Sequence, residues 1–226
     1  MDTLIFEKVD VYISNMFAPD DATLAATLRS LRAEGLPQHS VSANQGKFLQ
    51  LMAILCNAKK ILELGTLGGY STIWLARALP ADGKLISVEI NNHYAEVAQR
   101  NINDAGLSGK VEIRVGDALE ILPKMIHDKE GPFDLVFVDA DKPPYAEYFS
   151  FALSLARPGT LLVFDNVIRE GKILDPATTD EKVKGVQRFN KILSDNPHVT
   201  STILPIVGIK EYDGMALAIV KGNIIA

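Results

Sequence analysis

The stretch Ile61-Leu62-Glu63-Leu64-Gly65-Thr66-Leu67-Gly68-Gly69-Tyr70-Ser71 runs from a short apolar segment into a glycine-rich turn, and a helical pattern follows it. Gly65 and Gly69 stand where a strand turns sharply into a helix that packs close behind it. Doubly wound α/β sheets use such a turn to hold a ligand at the helix N-terminus. The stretch therefore predicts an α/β fold with a cofactor loop after its first strand.

Further short, β-rich and mostly apolar runs follow at intervals of about one βα unit. Strands of a parallel sheet are buried on both faces and have continuous apolar sequences of this kind. The predicted parallel strands are Ile61–Leu64, Lys84–Ile90, Val111–Val115, Leu135–Val138 and Thr160–Phe164. Val199–Leu204 and Met215–Val220 leave no room for a crossover helix, which predicts an antiparallel pair. The predicted fold class is α/β, with a mostly parallel seven-stranded sheet and an antiparallel C-terminal strand.

The first sixty residues have helical patterns instead. Helices are predicted over Leu4–Met16, Ala22–Ala33 and Gly46–Asn57, and Ser42–Gln45 resembles a capping box for the third. A chain of 226 residues suits one domain. We predict a single domain in which residues 1–57 form a helical cover over an α/β core of residues 58–226.

Composition limits the kinds of partner. Hydrophobic residues make up 47% of the chain and the formal net charge is -5, which disfavours a broad nucleic-acid-binding face but allows a local basic patch. One cysteine, Cys56, permits no intrachain disulfide and is typical of a reducing compartment. The sequence shows no signal peptide and no apolar run of the ~18 residues that a membrane span needs. These features predict a cytoplasmic protein without a membrane partner.

The glycine loop discriminates between two cofactor classes. Glu89 ends the next predicted strand, where an acidic side chain accepts hydrogen bonds from ribose hydroxyls. Leu67 occupies the position of the second glycine of the dinucleotide motif and would crowd a pyrophosphate. Glu63 would repel a pyrophosphate but suits a cationic amino-acid group. The loop favours S-adenosylmethionine over a nicotinamide dinucleotide, with a turn that serves only packing as the plainer alternative.

Polar side chains also follow two other predicted strands. Asp139 and Asp165 each end an apolar run, and Asn166 adds an amide oxygen. Neighbouring strands lie ~4.8 Å apart, so two aspartates at their carboxyl ends can share one cation. Oxygen ligands of this kind suit Mg²⁺. Lys142 is held out of a helix by the prolines after it and is placed to act as a base. Helix capping and a surface lysine are the plainer readings of the same residues.

Together these motifs resemble the cation-dependent, S-adenosylmethionine-dependent O-methyltransferases of the catechol and caffeoyl-coenzyme A type. The resemblance extends from about Ser42 to Gly222 and is most specific in Glu63–Ser71, Val138–Lys142 and Asp165-Asn166. It implies a Rossmann-like class I methyltransferase domain. It also implies a homodimer.

The resemblance assigns roles residue by residue. It implies Lys142 as the catalytic base and Asp139, Asp165 and Asn166 as the metal ligands. The implied cofactor-binding residues are Val41, Glu63, Gly65, Thr66, Ser71, Glu89, Asp117, Ala118, Asp139 and Asp141. His39 stands where relatives often carry methionine, and we interpret it as a solvent-facing loop residue. Substrate-gating residues are expected in residues 166–171 and 207–212 and in the N-terminal helices.

The resulting hypothesis is metal-dependent methyl transfer to a hydroxyl of a catechol-like phenol. One alternative keeps this chemistry and takes a hydroxylated uridine of transfer RNA as the acceptor. A second alternative is a nicotinamide-dependent oxidoreductase. A third is a cofactor-binding or interaction protein without catalytic activity.

Overall fold

A computed structural model describes residues 3–209 and 211–222 of the chain. Its centre is a seven-stranded sheet of order β3-β2-β1-β4-β5-β7-β6. The strands are β1 (Lys60–Leu64), β2 (Lys84–Glu89), β3 (Val111–Val115), β4 (Phe133–Val138), β5 (Ala156–Asp165), β6 (Val199–Gly208) and β7 (Glu211–Val220). β1 to β5 are parallel, and β7 runs antiparallel between β5 and β6. The predicted fold class is confirmed.

Helices cover both faces of this sheet. They are α1 (Thr3–Phe17), α2 (Ala22–Ala33), α3 (Ala43–Leu55), α4 (Tyr70–Ala78), α5 (Asn92–Asp104), α6 (Ala118–His127), α7 (Tyr145–Ser154) and α8 (Glu181–Asp195), with a 3₁₀ segment over Arg169–Leu174. None of the helices within the described ranges is long and apolar enough to cross a membrane.

The last two strands are longer than predicted. β6 continues through Pro205 to Gly208, and β7 begins at Glu211 and includes Asp213 and Gly214. Proline is tolerated here because β6 is the edge strand of the sheet. The expected ends at Leu204 and Met215 are therefore wrong, since residues that usually break strands lie inside this hairpin.

Alternate residues of the central strands enter two separate apolar layers. On one face Leu62, Val136 and Phe164 pack against α6, α7 and α8, with Phe149 and Phe189 as the largest contributors from the helices. The Phe164 and Phe189 ring centroids lie 4.4 Å apart. The other face packs against α3, α4 and α5. Burial on both faces explains why these strands have continuous apolar sequences.

The N-terminal helices pack on the edge of this core. Ser42 and Gln45 form the predicted capping box, with Ser42 Oγ accepting from Gln45 N and Gln45 Oε1 accepting from Ser42 N. The helix consequently begins at Ala43 and not at Gly46. α2 packs against α4 and α5, and α1 packs against α3 and β6. This arrangement places the segment between α2 and α3 over the carboxyl ends of the strands.

Candidate active site

A cavity of about 720 Å³ opens at the carboxyl ends of the parallel strands. This is the edge at which open α/β sheets bind ligands, and the volume suits a small-molecule site. The structure brings to its wall all the predicted site residues except Glu63: Val41, Gly65, Thr66, Ser71, Glu89, Asp117, Ala118, Asp139, Asp141, Lys142, Asp165 and Asn166. Residues that are distant in sequence therefore share one cavity.

The glycine loop approaches β4 so closely that its first position admits no side chain. Gly65 has φ +94°, and a Cβ there would lie 2.1 Å from the carbonyl oxygen of Asp139. Gly69 has φ +85° and precedes α4 without any side-chain cap, so no side chain satisfies the first N–H groups of the helix. The loop thus presents backbone donors to the cavity at a helix N-terminus.

Glu89 organises this loop from the neighbouring strand. Its Oε2 accepts hydrogen bonds from the backbone N–H groups of Thr66, at 3.1 Å, and Leu67, at 2.8 Å. Its Oε1 accepts from Asn91 N at 2.9 Å. A carboxylate offers about four acceptor positions, so one remains for a ligand. The predicted ribose-binding acid therefore also supports the loop.

Glu63 lies beneath the loop instead of at the cavity wall. Its carboxylate is fully buried and accepts hydrogen bonds from Ser71 Oγ, Thr72 Oγ1 and Ser87 Oγ at 2.7, 2.5 and 2.7 Å. Burial raises the pKa of Glu63 to about 7, against the opposing effect of the three hydroxyl donors. Ser71 does line the cavity, so Glu63 acts on the site through it. Direct contact between Glu63 and a cofactor stays a prediction.

The segment before α3 and the start of α6 form other parts of the wall. Val41 is buried there, and His39 is exposed at the same wall, as expected for a loop histidine. Asp117 caps α6 by accepting from Leu119 N at 2.8 Å, and Ala118 follows it. Val41, Asp117 and Ala118 all line the cavity, and their contacts with a cofactor stay a prediction.

Lys142 is buried and anchored by three groups. Its Nζ donates to Asp139 Oδ1 at 2.8 Å, to the Tyr145 hydroxyl at 2.6 Å and weakly to the Asp165 carbonyl oxygen at 3.4 Å. The Tyr145 hydroxyl in turn donates to the same carbonyl oxygen at 2.9 Å. Burial and the nearby carboxylates raise the pKa of Tyr145 well above its usual range, so this hydroxyl keeps its proton. Tyr145 carried no sequence signal that marked it as a site residue.

The residues present fit a hard cation. Asp139 Oδ2, Asp165 Oδ2 and the Asn166 side chain accept or donate no hydrogen bond among the described residues, and all three residues line the cavity. Burial and the charge of Asp139 raise the pKa of Asp165, a repulsion that a bound cation would relieve. Within residues 3–209 and 211–222 no three His, Cys, Asp or Glu side chains are grouped to hold a metal. The candidate set is two carboxylates and an amide.

A second loop, residues 166–171 after β5, also lines the cavity and is tied to β7. Asp213 Oδ1 accepts hydrogen bonds from the backbone N–H groups of Ile168, Arg169 and Gly214, each at 2.9 Å. Arg169 has φ +55° and the Asn166 backbone is also left-handed, conformations that persist only where surrounding contacts hold them. Asp213 itself lines the cavity. Asp213 comes directly after the predicted gating segment 207–212, and it carried no sequence signal that marked it as a site residue.

The regions expected to gate the substrate do reach the cavity in part. Ile209 lines it from the predicted segment 207–212, Arg169 and Glu170 line it from the second loop, and Gln45 lines it from α3. Ile206 also lines the cavity and lies just before the predicted segment. Position 210, within the predicted gating segment, lies outside the described residues.

Comparison of this chain with known proteins identifies its family. The family model described as O-methyltransferase matches residues 15–221. The catechol O-methyltransferase of Niastella koreensis is 59% identical over 221 residues, which cover 98% of this chain and 100% of that relative. This chain belongs to the O-methyltransferase family. The predicted family membership is confirmed, and the methyltransferase is an enzyme.

Two solved structures resemble the methyltransferase along almost its whole length. TomG of Streptomyces achromogenes, an O-methyltransferase involved in tomaymycin synthesis and solved with SAM, is 46% identical with a TM-score of 0.94, covering 98% of this chain and 100% of its own. The O-methyltransferase of Bacillus cereus, solved with SAH, is 44% identical with a TM-score of 0.95, covering 97% of this chain and 100% of its own. Membership of the O-methyltransferase family excludes two alternatives that the sequence left open, a nicotinamide-dependent oxidoreductase and a non-catalytic protein.

Proposed function

We propose that this methyltransferase transfers a methyl group from S-adenosylmethionine to a phenolic hydroxyl of a catechol-like acceptor, with the help of Mg²⁺. The observation that carries the proposal is the convergence of the glycine loop, Lys142 and the Asp139–Asp165–Asn166 oxygen set on one cavity. The name of the Niastella koreensis relative supports the catechol class.

The chain supplies a matching set of groups for the cofactor. Gly65, Thr66 and Ser71 would hold its methionine end, Glu89 its ribose, and Asp117 with Ala118 its adenine. When bound, S-adenosylmethionine provides an activated methyl group. Because Glu89 lines this cavity and keeps one acceptor position, its carboxylate can bind a hydroxyl without releasing the loop.

Asp139, Asp165 and Asn166 would hold the cation, which when bound lowers the pKa of a phenol and orients two vicinal oxygens. Lys142 stands beside this set, and as the neutral amine, with Nζ giving up one of its three donated hydrogen bonds, it would take the phenolic proton. The Tyr145 hydroxyl and the Asp165 carbonyl oxygen fix the position of Nζ from behind, so that the amine keeps its direction toward the cavity. Placing a base in this way is worth roughly 10²–10⁴-fold in rate.

Methyl transfer to catechol and to caffeic acid, with Mg²⁺ and with excess EDTA, tests the proposal. We expect turnover that EDTA abolishes and Mg²⁺ restores, and turnover indifferent to EDTA would refute the metal. Lys142→Ala should lower kcat at least 100-fold and leave the calorimetric affinity for S-adenosylhomocysteine within a few-fold. Equal loss of both would instead assign Lys142 a structural role. Methylation of extracted transfer RNA in place of catechols would favour the uridine acceptor.

The homodimer is part of the same proposal. Tyr12 and Phe17 of α1 and Leu55 of α3 are 62%, 64% and 71% exposed, and α1 packs against α3. Exposed apolar side chains on two helices in contact are typical of a surface that a partner covers. Light scattering should give twice the mass of one chain, and a monomer at micromolar concentration would refute this part of the proposal.

A further inference from the structure

Arg169 is a charged group at the cavity wall whose hydrogen-bonding capacity is unused. No N–H group of its side chain donates a hydrogen bond to any residue in the described ranges, and Nε is completely buried. Its nearest carboxylate oxygen is Asp213 Oδ2, at 3.9 Å from an outer guanidinium nitrogen. That distance is too long for a hydrogen bond. A guanidinium carries five donors in a planar fork, and a buried donor without an acceptor is costly.

The position of Arg169 is fixed by its backbone. Its N–H and that of Ile168 both donate to Asp213 Oδ1 at 2.9 Å. Asn190 of α8 donates to the carbonyl oxygen of Val167 at 2.9 Å. The loop is therefore anchored to β7 on one side and to α8 on the other. The backbone is therefore held in place, and the side chain is only 23% exposed, which restricts the freedom that the guanidinium can lose when it binds a ligand.

The charges around Arg169 leave this end of the cavity receptive to an anion. Lys182 also lines the cavity, and its side chain has no ion-pair partner among the described residues. The neighbouring acid Glu170 is paired with Lys172 at 2.5 Å. Asp213 Oδ1 accepts from three backbone N–H groups. The exposed Asp180 accepts from the backbone N–H groups of Lys182 and Val183, and these contacts, followed by the charge of Arg169, lower the pKa of Asp180.

We propose that Arg169 binds a carboxylate on the methyl acceptor, so that the preferred acceptors are dihydroxyphenyl carboxylates and not neutral catechols. The inference rests on the proposed function. In the proposed function the vicinal hydroxyls would bind at Asp165, Asn166 and Lys142, which share the cavity wall with Arg169, and Arg169 follows Asn166 by three positions on the same loop. A guanidinium fork matches the two oxygens of a carboxylate. Lys182, which also lines the cavity, adds a positive charge without the fixed hydrogen-bond geometry of a guanidinium.

The test compares 3,4-dihydroxybenzoate with its uncharged methyl ester, which has the same ring and the same vicinal hydroxyls. Steady-state kinetics are measured with S-adenosylmethionine and Mg²⁺ for the wild type, Arg169→Met and Lys182→Met. The control is Arg188→Met, since Arg188 is exposed on α8, pairs with Glu147 and lies outside the cavity wall. Calorimetric titration of both acceptors in the presence of S-adenosylhomocysteine gives a second readout.

We expect Arg169→Met to lower kcat/KM for the benzoate by about 10- to 100-fold and for the ester by less than 3-fold, because hydrogen bonds between charged groups are the strong ones. The benzoate affinity should fall in parallel. Lys182→Met should lower benzoate kcat/KM by about 2- to 5-fold, and Arg188→Met should change neither acceptor.

An unchanged benzoate-to-ester ratio in Arg169→Met would overturn the inference while turnover of the ester leaves the proposed function intact. If Arg169→Met does not fold, Lys182→Met decides, and an unchanged ratio there overturns the inference. If the wild type methylates neither acceptor, the proposed function fails and the inference fails with it.

Discussion

The buried carboxyl group of Glu63 should make the stability of this methyltransferase depend on pH. Glu63 is surrounded by three hydroxyl donors and has Asp139 as its charged neighbour, and burial raises its pKa from 4.5 to about 7. In the unfolded chain the carboxyl ionises near the ordinary value. Between pH 4.5 and about pH 7 the folded protein therefore holds a proton on Glu63 that the unfolded chain has released. Stability from Glu63 is therefore complete at low pH and is lost as the pH rises through the folded value.

The size of this effect follows from the two pKa values. The difference between 4.5 and about 7 corresponds to about 3 kcal/mol of unfolding free energy. Most of this loss falls between pH 5 and pH 8. Glu63→Gln removes the titration and keeps the size of the side chain. The stability of the variant relative to the wild type should therefore rise by about 2–3 kcal/mol from pH 5 to pH 8.

Urea unfolding followed by the fluorescence of Trp74 measures this difference at each pH. The matched control is Glu181→Gln, because Glu181 is an exposed glutamate on α8 that pairs with Lys184. The control should follow the wild type within about 0.5 kcal/mol at every pH. If the difference between Glu63→Gln and the wild type stays constant from pH 5 to pH 8, Glu63 is not protonated in the folded state. A difference of opposite sign would show that its charge is stabilising.

Two further substitutions test the geometry of the site. Tyr145→Phe removes the hydroxyl that anchors Lys142 Nζ and should lower kcat about 10-fold with S-adenosylhomocysteine affinity unchanged by calorimetry; a parallel loss of affinity would indicate general disorder of the site. Gly65→Ala should lower the free energy of unfolding in urea by several kcal/mol, because its Cβ would lie 2.1 Å from Asp139 O. Gly69→Ala has no neighbour nearer than 3.5 Å and should lower it only by the left-handed backbone strain of about 1–2 kcal/mol. Equal costs would contradict the close approach of the loop to β4.

Much of the fold was predictable because its signals are local. A parallel strand is buried on both faces, so runs such as Leu135–Val138 are apolar without interruption, and their order along the chain implies crossover helices. The capping box at Ser42 and the break at the prolines after Lys142 are equally local. The ends of β6 and β7 were not predictable, because Pro205 and Gly214 break strands in most contexts. Pro205 is tolerated because β6 is the edge strand, and Gly214 pairs with it from the neighbouring strand β7.

The site, too, has residues that local sequence signals predict and residues whose roles depend on contacts between distant segments. Asp139 and Asp165 were identifiable because each follows a predicted strand, and parallel strands place their carboxyl ends at one edge. The roles of Tyr145, Asp213 and Arg169 depend on contacts between segments that are far apart in the chain. Asp213, for example, accepts from the backbone of a loop 44 and 45 residues away. Nothing in the residues next to it indicates that partner.

The sequence by itself determined which chemistry is available, since the types and order of the strand-terminal residues are written in it. It also determined the fold class, because burial imposes a periodicity on each strand and helix. Only the tertiary structure decided which groups are free to act. It placed Glu63 under the loop, packed Tyr145 behind Lys142, and left the Arg169 guanidinium without a hydrogen bond among the described residues. Burial and hydrogen-bond satisfaction are properties of the packed chain, so no local pattern can show them.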